Sequence, residues 1–501
     1  MTTVAQPVSE IAAALQPERW SRAEGGIVVL GALCTLVTVG RPSFDLDESV
    51  SASLAVAPWH AFTQTVVHRE ANMALYYAVL RAWVVFGRSE VALRALSVLA
   101  ALAALVVVMV LVRRLFDRRT ALVCGLLLAV DPLLVLFAQD ARGYALSLAL
   151  VAASSALFVH GIENDAGPWW WVAYAVVSAL AAYTNFWAAL VPLSHAISLS
   201  LRGGRPLPWR RLVPTAVGLV VALIPLGLLI HATDAAGVNW AAGSSAGKVF
   251  TDVRAHVPHA VIDLAVVVVV AVVTAAVAIG RRHRRSAAIF AAVSRAWPLA
   301  FVVCWLVVPV AAVVLLSLVY KPLLVVRYLV VCLPPAIIVV ALAIRRLRRR
   351  AGTVVLVAAV VVSGIGVGAL YAHGSFQDWR GAATTVADGA RRGDGVVVFA
   401  PYVRTPFQWY LGQHRAAERL LAPLEPAGPW RSDGLGFDRT PAVTAAAITA
   451  AVAGHRRVWL VLSQEGLFPS QYRAVLGGLA AAGLTAQATT ALHGVEVVRY
   501  G

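Results

Sequence analysis

The chain has 501 residues, 60% of them hydrophobic and only 13% charged, too few charges to keep a soluble domain of this size in water. Its formal net charge is +17, but the arginines stand in short clusters between apolar runs, as topology signals do, and no nucleic-acid partner is expected. Cys34, Cys124, Cys304 and Cys332 all fall in apolar segments, so no disulfide framework is indicated.

Residues 1–24 are polar and mixed in charge. No small-residue cleavage site follows the first apolar run, which is read as a retained span behind a cytoplasmic N-terminal segment. Candidate spans lie at about 25–40, 91–112, 120–137, 144–160, 169–183, 186–201, 212–230, 260–279, 297–317, 326–344 and 352–371. Most approach the 20 residues that cross a core of roughly 30 Å. The expected fold is a polytopic α-helical membrane protein of about eleven spans over residues 25–372, followed by an extracytoplasmic α/β domain over 373–501. The stretch 73–87 is apolar but holds Arg81 at its middle. As a helix it would reach only about 22 Å, so it is read as lying in the interface with the lipid bilayer.

Four basic clusters test the threading: Arg113, Arg114, Arg118 and Arg119; Arg202, Arg205, Arg210 and Arg211; Arg281, Arg282, Arg284 and Arg285; and Arg345, Arg346, Arg348, Arg349 and Arg350. All then lie on one side, the cytoplasm. The loop 161–168 on that side is acidic instead, which the charge rule does not explain. Loops 41–90, 138–143, 231–259 and 318–326 open outward with the tail.

In the tail, strands are predicted at 396–401, 458–463 and 494–499, and helical pieces at 380–391, 404–412, 441–453 and 470–482. The alternation predicts a small α/β domain. It has no nucleotide-binding glycine loop and no nucleophile elbow, and no repeat of fixed period runs through the chain.

The first outward loop carries Asp45-Leu-Asp47-Glu48-Ser49. Three carboxylates this close raise each other's pKa unless donors or cations compensate. They read either as a solvated acidic loop or as a site with one general base and another group that orients an acceptor or binds a metal. His68-Arg-Glu-Ala-Asn72, followed by Tyr76, marks either a headgroup boundary or a site lining. Gln139-Asp140-Ala-Arg142-Gly-Tyr144 forms a very short turn that holds Asp140 and Arg142 at the bilayer boundary, where ionisable residues are functional candidates by default. Arg142 suits a phosphate, or pairs locally with Asp140. Lys321 and Arg327-Tyr328 stand where the chain re-enters the membrane, against the prevailing charge bias. Arg327 either snorkels or binds phosphate. His256-x-x-His259 lacks a third ligand and reads as loop. Tyr183-Thr184-Asn185 reads as a cleft lining or as a hydrogen-bonding link between helices.

In this order the landmarks resemble the GT-C glycosyltransferases, in particular the protein O-mannosyltransferase and aminoarabinose transferase branch, glycosyltransferase family 39. The matching residues are Asp47-Glu48 after span one, His68 through Tyr76, Gly87 through Arg94, the Ala-Arg-x-Tyr turn at 141–144, Arg327-Tyr328 and Asp378-Trp379-Arg380. The double proline of the family's juxtamembrane stretch is absent, and Asp45 is extra.

The resemblance implies an inverting transfer from a polyprenyl-phosphate sugar donor to a cell-envelope acceptor. Asp47 would be the base. Glu48 and Asp140 would position the acceptor or, with Asp47, a divalent cation such as Mg or Mn. Arg142, Arg327, Lys321 and Tyr328 would bind the donor phosphate, and His68, Asn72, Tyr76 and Tyr144 would line the site. The Ala- and Val-heavy, Arg-over-Lys composition suggests an actinobacterium and favours mannose or arabinose as the sugar. A lipid or polysaccharide transporter would place ionisable groups toward both sides, and this threading finds them outside only. A catalytically silent scaffold of an envelope-assembly complex would use the tail for docking.

Overall fold

The computed structural model describes residues 20–202, 207–232, 297–319, 326–373, 377–430, 443–463, 466 and 468–501. The expected span at 260–279, the arginine cluster at 281–285, His256, His259 and Lys321 lie outside the described residues. The chain divides into two units. Met1–Val37, Val66–Tyr76 and Arg94–Ala372 form the first; Thr38–Thr65, Tyr77–Leu93 and His373–Gly501 form the second.

Among the described residues six helices are long and apolar enough to cross a membrane: Glu90–Leu115, Tyr144–Glu163, Trp209–His231, Trp297–Ser317, Arg327–Arg346 and Arg349–Ala372. A seventh arises if Arg118–Ala129 and Pro132–Ala138, bent by 59° at their junction, are one broken span. The protein is therefore a multi-pass membrane protein, but the expectation of about eleven spans is corrected. Hydropathy registers apolar composition, and neither the length of the helix that forms nor a break within the run. The first run becomes Arg22–Leu36, only 15 residues. Asp131 caps a new helix at Pro132 and breaks the 120–137 run. The 169–183 run forms the 17-residue helix Pro168–Thr184. The 186–201 run opens with a 3-10 turn that leaves the 11-residue helix Leu190–Ser200.

Inside the first unit, one buried histidine is paired across helices. His195 is fully buried. Ser155 Oγ lies 3.1 Å from its Nε2 and the Tyr174 hydroxyl 3.0 Å from its Nδ1. The ring stacks between Phe158 and Phe301 at 4.7 and 5.2 Å. The acidic loop at 161–168 also finds its reason here. Glu163 accepts from Arg114 at 2.8 Å, and Asp165 lies 3.3 Å from Arg211. Exposed pairs of this kind contribute only about 0–1 kcal/mol, so they offset basic clusters more than they stabilise the fold.

The second unit contains a five-stranded sheet in the order β2-β1-β3-β5-β4, with β1 Asp394–Phe399, β2 Leu421–Glu425, β3 Val458–Leu462, β4 Ala486–Leu492 and β5 Val495–Tyr500. β1 runs parallel to β2 and to β3, where Gly395 faces Val458. β5 is antiparallel to β3 and β4. Val397, Phe399, Leu460 and Leu462 pack against Ile448, Val452, Val475 and Leu479 of two covering helices. The predicted central strands are all present. The edge strands β2 and β4 carry no clear strand signal, because β2 holds Pro423 and β4 is mostly exposed and mixes alanine with threonine and glutamine, as edge strands tolerate.

Also in this unit, Leu46–Val56 ends at Ala57, whose carbonyl accepts a 2.6 Å hydrogen bond from Arg81. The Arg81 guanidinium lies over the Trp59 and Phe62 rings. A cation at a helix C-terminus offsets the exposed carbonyl dipoles there. The helix that carries Arg81, Ala74–Trp83, has only 10 residues, a length of about 15 Å.

Candidate functional site

In the first unit the turn at Arg142 meets Glu70, Ser97, Tyr76 and Thr184. The side chain of Arg142 is buried, with Glu70 Oε2 3.8 Å from its guanidinium. Its backbone carbonyl accepts from Ser97 Oγ at 3.5 Å, and Ser97 in turn lies 3.2 Å from the Tyr76 hydroxyl. Gly143 permits this closeness: a Cβ there would meet the Thr184 carbonyl oxygen at 2.8 Å and Tyr76 Cβ at 3.2 Å. Any side chain would push the turn away from the Pro168–Thr184 helix. The 3-10 turn Ala71–Met73, which carries Asn72, packs on the same helix.

Thr184 leads directly into Asn185 and Trp187, and the Trp187 ring packs 5.5 Å from that of Tyr328. Tyr76, Arg142 and Tyr328 are thus linked through one turn at 184–187. Asn185 stabilises that turn by accepting from the Trp187 N–H at 3.2 Å. Tyr144 is buried against Phe137, with ring centroids 5.0 Å apart. Asp140 is half-buried, and its carbonyl accepts from the Arg142 N–H at 2.8 Å. Arg327 is half-buried, and His68 is exposed at the end of the Trp59–His68 helix. Two residues outside the predicted set belong to this arrangement. Glu70 was legible only as one charge in a polar stretch, and Ser97 carries no signal inside an apolar run.

In the second unit the acidic motif starts the Leu46–Val56 helix. Asp45 is its N-cap, accepting from the Glu48 N–H at 2.8 Å, and the Glu48 carboxylate reaches back to the Asp45 N–H at 3.4 Å. Two of the three carboxylates therefore close a reciprocal capping box. Asp47 stands between them in the first turn, half-buried. Among the described residues no group of three or more His, Cys, Asp or Glu side chains is arranged to hold a metal ion.

The same unit holds the start of this motif against residues of the tail. Ser43 Oγ donates to the Gln377 carbonyl at 2.7 Å, and the Phe44 N–H donates to the Tyr410 hydroxyl at 2.6 Å. Burial and the neighbouring Glu90 charge push the Tyr410 phenol up, so it stays protonated.

The family described as Dolichyl-phosphate-mannose-protein mannosyltransferase matches residues 70–231. No curated protein matches the chain. Among solved structures, ArnT from Cupriavidus metallidurans in the apo state superposes with a TM-score of 0.56 at 16% identity, covering 96% of this chain and 98% of that one. ArnT bound to undecaprenyl phosphate gives 0.56 at 16% identity, covering 94% and 97%. The Archaeoglobus fulgidus oligosaccharyltransferase in complex with Zn and sulfate gives 0.52 at 12% identity, covering 95% and 72%. At these identities the likeness concerns the fold alone, which this chain shares with ArnT and with the archaeal oligosaccharyltransferase.

Proposed function

We propose that the chain is an inverting glycosyltransferase that moves a sugar from a polyprenyl-phosphate donor to an extracytoplasmic cell-envelope acceptor. The observation that carries this reading is the buried Arg142 guanidinium, held at a turn between membrane helices beside Tyr76 and the 184–187 turn. A guanidinium in that setting is costly to keep and well shaped for a phosphate. The GT-C fold supports the same reading, and one structure of that fold holds undecaprenyl phosphate.

In the proposed reaction an acceptor hydroxyl attacks the anomeric carbon and Asp47 takes its proton. The bond between that carbon and the phosphate oxygen breaks. The lipid phosphate leaves as an anion, stabilised by Arg142 with Arg327, Lys321 and Tyr328. Glu48 keeps the first turn of the Asp47 helix closed through the capping box, and Asp140, His68, Asn72, Tyr76 and Tyr144 line the donor and acceptor positions. Mannose and arabinose are the favoured sugars. The Arg-rich loops put the N-terminus in the cytoplasm and the tail outside.

The test is release of polyprenyl phosphate by purified protein from a panel of labelled polyprenyl-phosphate sugars, mannose and arabinose included. Release requiring an acceptor is the expected result. A transporter or a silent scaffold would leave every donor intact, and that result overturns the proposal.

A further inference from the structure

The acidic motif belongs to the same unit as the C-terminal domain, and the two are joined immediately before the Asp45 cap. Ser43 Oγ donates to the Gln377 carbonyl and accepts from the Trp379 N–H at 3.2 Å. Phe44 gives its backbone N–H to the Tyr410 hydroxyl and sets its ring edge-on to Trp409 at 6.0 Å. The Tyr410 hydroxyl then donates to Glu90 Oε1 at 2.8 Å. Arg380 holds the same oxygen at 2.5 Å and donates to the Arg41 carbonyl at 3.4 Å. Ser43, Phe44 and Tyr410 are all buried, so water does not substitute for these bonds at no cost.

Two backbone groups, the carbonyl of 41 and the N–H of 44, and the side chain of Ser43 are thus held by the tail before the helix begins. The capping box fixes the first turn that follows. Asp47 lies in that turn and inherits its placement from the clamp. We propose that the C-terminal domain is a positioning module for the acidic motif, with Tyr410 acting through Phe44 and Glu90 to hold Asp47 in its reactive placement. This rests on Asp47 being the base. Tyr410 touches no reacting atom; it is a positioning residue. Displacing a catalytic group by about 1 Å from a remote change costs on the order of 10²-fold in rate, so small slack at Phe44 is amplified at Asp47.

The experiment uses the full-length protein in detergent and compares wild type with Tyr410→Phe, which keeps the ring and loses both hydroxyl bonds. The expected result is a fall in kcat of about 10- to 10²-fold with an unchanged KM for the polyprenyl-phosphate donor. Hydrogen–deuterium exchange should rise across 42–50 while the central strands β1 and β3 keep their protection. Ser43→Ala, on the other arm of the clamp, should act in the same direction and serves if Tyr410→Phe fails to fold. Unchanged kcat and exchange overturn the proposal, as does exchange that rises through the whole sheet in step with lost activity. Wild-type turnover by Asp47→Asn overturns the assignment of the base instead, which separates the two failures.

Discussion

Tyr410 and Glu90 lie 320 positions apart in the sequence and meet in a 2.8 Å hydrogen bond from phenol to carboxylate. Through it the start of a membrane helix, the segment before the acidic motif and the C-terminal domain become one folded unit. The acidic motif is read best as part of that unit.

Asp47→Asn is isosteric and leaves the Asp45–Glu48 capping box intact. Transfer should fall by about 10²- to 10⁴-fold, the usual worth of a positioned general base, with no change in thermal unfolding. The measurement is release of labelled polyprenyl phosphate; wild-type turnover removes Asp47 from the reaction.

Arg142→Gln should lower turnover by about 10²- to 10³-fold, as loss of one donor to a developing charge does. Arg142→Lys should retain more activity, since it keeps the charge and loses the planar fork. Equal turnover for wild type and the Gln variant would assign Arg142 to the fold alone.

His195→Ala should destabilise the protein by roughly 2–4 kcal/mol, the cost of a buried ring's packing and two lost hydrogen bonds. Tyr174 and Ser155 would lose their partner, and Phe158 and Phe301 would face a cavity. Thermal unfolding in detergent reads this directly; a melting temperature matching wild type would contradict it.

Burial raises the Glu425 carboxyl above the usual carboxylate range, and Arg404 offsets only part of that rise. The folded chain holds this proton more tightly than the unfolded chain. Its contribution to stability is full below the unfolded value and is lost as pH rises through the folded one. Glu425→Gln removes the titration, so unfolding profiles across the acid-to-neutral range should flatten relative to wild type. Parallel profiles would show that Glu425 titrates normally.

The proposed orientation puts the tail outside. The four cysteines are Cys34, Cys124, Cys304 and Cys332, and the tail sequence contains none. Ala488→Cys on the exposed edge strand β4 offers a single thiol there. A membrane-impermeant maleimide should label it in intact cells; labelling only after lysis would reverse the topology.

The amino-acid order by itself determined the membrane class, the α/β character of the tail and the positions of Asp47, Arg142 and Tyr328 as candidates. These are local properties: apolar length, alternation and charge placed beside apolar runs. The span count is not local, because Asp131 breaks the apolar run at 120–137 and the 3-10 turn Phe186–Ala189 shortens the helix of the run at 186–201. Nor was the pairing of Arg142 with Glu70, or the bond from Phe44 to Tyr410 across 366 positions. Such contacts depend on where helix packing and sheet order bring distant backbone together, and a buried donor or charge then takes the partner it finds there.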